Sequence, residues 1–278
     1  IEEVLKERCY WGKVSMEILV CIKQVPGSNK VEVDPVTGVL KRNGADSKMN
    51  PYDLYALECG MKLKEQYGGR VSVITMGPPP AAAVIKEAFA MGADDGTLLS
   101  DRAFGGADVL ATSYTLAQGI KKMGKFDVII CGLQTTDGDT AQVGPEISEV
   151  LDIPCVCNVA KIDKVEDNNI YVDMEMANEF EQLKVQFPCL ITVKKDINQP
   201  RLPSYKLKKA TEKKEIAVYS FKDMDDQEKK HYGLSGSPTQ VQRIFPPVSD
   251  KEQETWEGNG QEMADKLFGK LKQLKFIS

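Results

Sequence analysis

Between Met16 and Pro154 the chain alternates two kinds of segment, and this alternation restricts the fold more than any other feature. "MEILVCIKQV" (16–25), "RVSVITMG" (70–77), "GTLLSD" (96–101) and "KFDVIICG" (125–132) are short, β-branched and apolar, and each reads as a buried strand. The segments between them carry helical spacing. "PYDLYALECGMKLKEQYG" (51–68) repeats Leu54, Leu57 and Met61, with Asn50 as the expected N-cap and Pro51 at the first helical position; Gly68 and Gly69 end it. "PPPAAAVIKEAFAMGADD" (78–95) opens on prolines and closes at Gly92. "GADVLATSYTLAQGIKKMG" (106–124) places Val109, Ser113, Leu116 and Ile120 on one face behind an Asp108 N-cap. "GPEISEVLDIP" (144–154) is a short helix that Pro154 stops, and "GVLKRNGADSKMN" (38–50) reads as loop. Apolar strands separated by helices imply βαβ units, so the fold class is α/β: a doubly wound, mainly parallel, Rossmann-like sheet with helices on both faces.

Such a sheet binds its ligand beyond the carboxyl ends of the strands. The segments expected there are Lys23–Pro26, Met76–Pro80 and Leu133–Gly144, with the loop carrying Asn50 folded over the same edge.

After Pro154 the pattern changes. "CVCNVAKID", "NNIYVDMEMANEF", "EQLKVQF" and "PCLITVKKD" are consecutive strand-like runs that suggest an antiparallel addition. From about Asn198 the chain turns polar, with scattered apolar anchors at Tyr205, Leu207, Ile244 and Phe245 and a short amphipathic helix at the end. Such a tail fits an arm that clasps a partner. The expected division is an extension over 1–15, a nucleotide-binding α/β domain over 16–197, and a partner-recognition loop with a C-terminal arm over 198–278.

Composition narrows the function classes. The 278 residues suit one large domain with an appendage, and a net charge of −5 argues against nucleic acid as a partner. No run is long and apolar enough to span a bilayer, and no cationic signal peptide opens the chain, so a cytoplasmic protein with no membrane partner is expected. The seven cysteines form no CxxC pair and read as buried, reduced thiols; Cys155 and Cys157 would share one face of a strand. The sole histidine, His231, lies in a polar stretch and reads as a solvated loop residue.

The chemistry concentrates in "LQTTDGDTAQVG" (133–144), directly after the fourth strand. A metal reading rests on Asp137 and Asp139, as in a magnesium-dependent phosphohydrolase. The threonine of a D-x-D-x-T motif stands one place early here, and four residues, Leu133 to Thr136, separate Asp137 from the strand end. A nucleotide reading rests on small and hydroxylated residues before a helix start, whose backbone N–H groups can hold a pyrophosphate. The aspartates would then shape the turn or accept from hydroxyls. Pro145 requires the helix to begin near Gly144, or its first turn to be distorted. Taken alone, the loop fits a nucleotide site or a ligand-free capped turn equally well.

"VCIKQVP", "MNPYD", "AFAMGAD" and "CGLQTTDGDTAQVG", in this order and spacing, resemble the beta subunit of electron transfer flavoproteins. The resemblance covers nearly all of 16–278. "DGDTAQVGPEI" with "LLSDRAFGGADVLATS" resembles the branch that performs flavin-based electron bifurcation. The resemblance implies a heterodimer with an alpha subunit that holds one FAD. It implies a second adenine nucleotide in this chain: AMP in plain electron carriers, FAD in bifurcating members, where NADH is the hydride donor. Electrons would divide between ferredoxin and, through the alpha-subunit FAD, a partner dehydrogenase of the acyl-CoA or 2-hydroxy acid type, as in anaerobic metabolism. The implied cofactor-binding residues are Cys21, Lys23, Asn50, Pro51, Tyr52, Asp53, Met76 and Gly77. The loop adds Thr136, Asp137, Gly138, Asp139, Thr140, Ala141, Gln142, Val143 and Gly144. Tyr205 is the implied partner anchor. No catalytic side chain and no metal ligand is implied, so the chain would act as a redox subunit.

Overall fold

A computed structural model describes residues 9–10, 13–27, 32–33, 40–41, 47–242 and 254–277. Of the expected tail anchors, Ile244 and Phe245 lie outside the described residues, as do residues 1–8 and 11–12 of the extension.

Besides two-residue strands at Cys9–Tyr10, Lys13–Val14, Glu32–Val33 and Leu40–Lys41, the strands are β1 Met16–Cys21, β2 Gln24–Pro26, β3 Ser47–Met49, β4 Gly69–Met76, β5 Asp95–Leu99, β6 Val128–Gly132, β7 Cys155–Glu166, β8 Asn169–Glu175, β9 Phe180–Gln186, β10 Cys189–Val193 and β11 Ala217–Tyr219. The α-helices are α1 Pro51–Tyr67, α2 Ala82–Met91, α3 Val109–Met123, α4 Val143–Leu151, α5 Tyr205–Ala210 and α6 Gly260–Gln273. Nine strands form one sheet in the order β9-β8-β7-β10-β6-β1-β4-β5-β11. Every pairing from β7 to β11 in that order is parallel. The β7-β8-β9 meander is antiparallel.

The apolar runs are buried because helices cover both faces. On one face Leu57 of α1 and Ile85 and Ala88 of α2 pack with Ile18, Val20, Val73 and Ile130. On the other, Leu116 and Ile120 of α3 and Ile147 of α4 pack with Leu19, Ile74, Leu99 and Leu190. Alternate residues of β1 thus serve opposite layers, as a strand period of two requires. Asp108 caps α3 as expected, its carboxylate accepting from the Ala111 N–H at 3.1 Å.

Several sequence expectations need correction. The run 16–25 is two strands, because the chain bends at Ile22–Lys23 and β2 pairs with β3 in a separate ladder. Part of the expected 38–50 loop is therefore strand. The runs after Pro154 are not uniformly antiparallel: β10 inserts parallel between β6 and β7, where its five residues are all buried. Two-sided burial favours this place for a strand that is apolar except for Thr192.

His231 is not free in solvent. Its Nδ1 lies 2.5 Å from Asp226 Oδ2, which also accepts from Tyr114 OH at 2.6 Å. This cluster holds the 224–232 segment on α3, where Met224 and Tyr232 are buried. Earlier in the polar stretch, Arg201 binds both carboxylate oxygens of the buried Glu58 of α1, at 2.7 and 3.0 Å. In contrast, α5 and α6 bury no residue. No helix among the described residues is long and apolar enough to cross a membrane.

Candidate functional site

The chain builds β4 and β5 on one side of β1 and then returns to lay β6 on the other. The connections leaving β1 and β6 therefore part in opposite directions, which opens a crevice at their carboxyl ends. Lys23 follows β1 and the 133–142 loop follows β6.

Side chains tie the two connections together. Lys23 Nζ donates to Asp137 Oδ1 and Oδ2 at 2.8 and 2.9 Å. Asn50 is wholly buried. Its Nδ2 donates to Asp53 Oδ1 and to the Gln134 carbonyl, each at 2.9 Å, and its Oδ1 accepts from the Thr136 N–H at 3.2 Å. Its backbone N–H donates to the Lys23 carbonyl at 2.8 Å. Asp53 Oδ2 accepts from the Lys23 N–H at 2.7 Å. The expected N-cap role of Asn50 is thus corrected: its side chain makes no capping bond to α1 and serves the loop instead.

Two glycines let these parts approach. A Cβ on Gly132 would lie 2.4 Å from Asp53 Oδ1 and 2.8 Å from the Tyr52 backbone. A Cβ on Gly144 would lie 2.6 Å from Thr192 Cγ2. Any other residue at Gly132 would push the end of β6 away from the start of α1.

The loop is shaped from within. Asp139 N–H donates to the Thr135 carbonyl at 2.9 Å and Gly138 N–H to Thr135 Oγ1 at 3.3 Å. Gln134 Nε2 reaches both Asp139 Oδ1 and, at 3.3 Å, Tyr52 OH. Asp139 and Ala141 both have a φ of 55°, while Gln142 is right-handed helical. A left-handed residue beside a right-handed one turns successive N–H groups to one side and makes an anion-binding concavity. Among the described residues, none accepts from the N–H groups of Thr140, Ala141, Gln142, Val143 or Gly144. The α4 helix starts at Val143, so Pro145 is its third residue. The first four N–H groups of a helix have no internal partner, so the proline costs no bond and the turn needs no distortion.

Charge follows the same plan. Burial pushes the Asp137 carboxyl up, but the Lys23 ammonium more than offsets this and holds it below the ordinary range. Burial pushes Asp53 up to about 7, against the opposing pull of its bonds from Asn50 and Lys23. Both loop carboxylates thus have partners inside the chain, Lys23 for Asp137 and Gln134 for Asp139. Among the described residues, no group of three or more His, Cys, Asp or Glu side chains is placed to hold a metal ion.

Not every expected residue joins the network. Met76 ends β4, and the Gly77 N–H is spent on the Leu99 carbonyl at 3.0 Å. The 77–80 turn is held instead by Gln24 Nε2, which donates to the Pro80 carbonyl at 3.3 Å and to Ser47 Oγ at 2.9 Å. The Cys21 thiol is buried against Cys131, on the α3–α4 side of the sheet. Pro51 opens α1, with Tyr52 and Asp53 in its first turn. Thr140 and Gln142 side chains hold no hydrogen-bond partner among the described residues. Sequence reading missed Gln134 and Gly132. Gly132 is the last residue of β6 and Gln134 lies two residues beyond it, at the point where the connections from β1 and β6 part.

A family model of the electron transfer flavoprotein domain matches residues 37–224. The electron transfer flavoprotein subunit beta of Thermoanaerobacterium thermosaccharolyticum is 44% identical over 257 residues, 92% of this chain and 98% of that protein. The caffeyl-CoA reductase-Etf complex subunit CarD of Acetobacterium woodii is 44% identical over 264 residues, 94% of this chain and 100% of that protein. Protein FixA of Azorhizobium caulinodans is 41% identical over 246 residues, covering 86% and 88% of the two chains. With this match across the sheet, its switch point and the loop, the chain belongs to the beta-subunit branch of the electron transfer flavoprotein family.

Proposed function

We propose that the chain binds FAD at the β1–β6 crevice and works as the NADH-oxidising beta subunit of an electron-bifurcating flavoprotein. The observation that carries this reading is the set of N–H groups over Thr140–Gly144, which have no acceptor and lie at the switch point, while the nearby carboxylates are occupied by Lys23 and Gln134. The residues present fit an adenine dinucleotide. A pyrophosphate meets unpaired donors and the positive end of α4, and Asp137 repels it less because Lys23 neutralises its charge.

When bound, FAD supplies the hydride acceptor for NADH and the point where two electrons part towards acceptors of different potential. The chain supplies position. Thr140 and Gln142 would offer a hydroxyl and an amide to the anion, and Asn50 fixes the loop to β1. Asp53 and Gly132 set how closely α1 approaches the crevice. No side chain of this chain has to move a proton.

Leu202 and Tyr205, with Leu267 and Phe268 of α6, are exposed apolar side chains. They supply an arm for the alpha subunit, with Tyr205 as an anchor towards the dehydrogenase. The low-potential acceptor is ferredoxin. The reductase complex in the name of the similar CarD supports a dehydrogenase partner acting on an acyl-CoA. A plain carrier with AMP in the same crevice is the second reading, because the same donors suit a single phosphate.

An anaerobic titration of the purified heterodimer with NADH tests the proposal. Bleaching of flavin absorbance by NADH alone, before any dehydrogenase is added, supports it. A heterodimer whose flavin stays oxidised under excess NADH is a plain carrier.

A further inference from the structure

One pair of reactive groups lies outside the crevice. Cys155 and Cys157 open β7 on the same side, with their Sγ atoms 3.8 Å apart and both side chains part-exposed. In a regular strand the Cα atoms of residues i and i+2 are about 6.6 Å apart, near the upper end of the roughly 4.4–6.8 Å that a disulfide spans. Here the strand is irregular at this point. Its pairing with β10 shifts between Val156 and Val159, and Asn158 has a φ of 55°. The irregular register gives the backbone room to adjust.

The pair sits behind the candidate site. Cys155 lies beside Ser148 of α4, and Cys157 lies beside Thr192. Thr192 also accepts from the Asn158 N–H at 3.2 Å, and its Cγ2 fills the space that a Cβ on Gly144 would need. Thr192 thus stands between Cys157 and the first turn of α4.

We propose that Cys155 and Cys157 form a redox-active dithiol that closes to an intramolecular disulfide behind the start of α4. The oxidant is a low-molecular-weight disulfide. The Cys157 thiolate attacks one of its sulfurs, forming a mixed disulfide and releasing one thiolate. Cys155, having lost its proton, then attacks Cys157 Sγ and releases the second thiolate. The chain loses two electrons and two protons, and the small disulfide is reduced to two thiols. The Cys155 thiol donates towards Cys157 and holds it below the ordinary thiol range, which favours Cys157 as the first attacker. Cys21, Cys59, Cys131 and Cys189 are buried and have no such access.

The full chain, purified with its bound partner, is reduced, freed of reductant and treated with oxidised glutathione. The proteolytic fragment carrying both residues is then weighed. The proposal expects it two hydrogens lighter, with no lasting glutathione adduct, and faster amide exchange over Thr140–Ile147 after oxidation. Cys155→Ser should stop at a stable adduct on Cys157, and Cys157→Ser should take up none. A fragment that stays a dithiol, or keeps one glutathione in the unsubstituted chain, overturns the proposal without any variant. Closure with unchanged amide exchange overturns the link to α4. The fragment mass does not depend on which nucleotide is bound, so this result stands apart from the flavin reading.

Discussion

Replacing Asn50 with alanine removes three side-chain hydrogen bonds at once: to Asp53, to the Gln134 carbonyl and from the Thr136 N–H. Each such bond contributes roughly 1 kcal/mol net, and a buried partner left unsatisfied costs about 1–3 kcal/mol. Asp53 bears most of this, since it is fully buried and loses one of its two donors. Gln134 and Thr136 are nearer the surface, so water can replace part of their loss. The expected destabilisation is therefore about 2–4 kcal/mol, read as a lower urea midpoint at unchanged slope. The loop should suffer more than the core, because Asn50 is its tie to β1. Amide exchange over Thr135–Gly144 should rise well before the sheet opens, and bound nucleotide should be lost on gel filtration. An Asn50→Ala chain that unfolds within about 0.5 kcal/mol of the parent and keeps its nucleotide would refute the role assigned to Asn50.

Other perturbations separate the remaining parts. Gly132→Ala should cost about 3 kcal/mol or more in urea unfolding, because the added Cβ meets Asp53 and the Tyr52 backbone, which cannot swing away. Arg201→Ala should cost about 3–5 kcal/mol, since it removes the counter-charge of the buried Glu58 carboxylate and leaves it only the backbone N–H of residue 201. In contrast, Lys23→Met should change stability by at most about 1 kcal/mol, because Lys23 and Asp137 are both partly exposed, yet it should weaken nucleotide binding measurably by calorimetry. Asp53 predicts a pH dependence. Its folded pKa is raised above the unfolded value, so the unfolded chain loses its proton first as pH rises. Stability should fall from about pH 4 to about pH 7 and then level off. Urea midpoints across that range should show a slope in the parent chain that is absent in Asp53→Asn; equal slopes would contradict the buried-carboxyl account.

The parts of the fold that depend on local pattern were legible in the sequence. The alternation up to Pro154 located β1, β4, β5 and β6 and the helices between them, and Asp108 marked its own cap. What depends on distant pairing was not. Nothing near Cys189–Val193 says that the strand inserts between β6 and β7, because register and neighbour are set by the whole sheet. The bend at Ile22–Lys23 has the same origin: the Lys23 N–H leaves the ladder for a carboxylate thirty residues away in sequence.

At the site, the loop and the residues following β1 were identifiable from composition and strand order. Their roles were not. Asn50 has the residue type and place of an N-cap, and only the folded chain shows its amide turned to the loop. Asp137 and Asp139 look alike in sequence but meet different partners, an ammonium and an amide. That difference decides whether the loop attracts a cation or accepts an anion.

The identity of the nucleotide tests the account's central claim most directly. The heterodimer is denatured in acid and the released FAD and AMP are counted per chain. The account predicts two FAD per heterodimer and no AMP, with one FAD lost when Asn50→Ala replaces the parent chain. One FAD and one AMP per heterodimer would contradict it and make the crevice a structural AMP site.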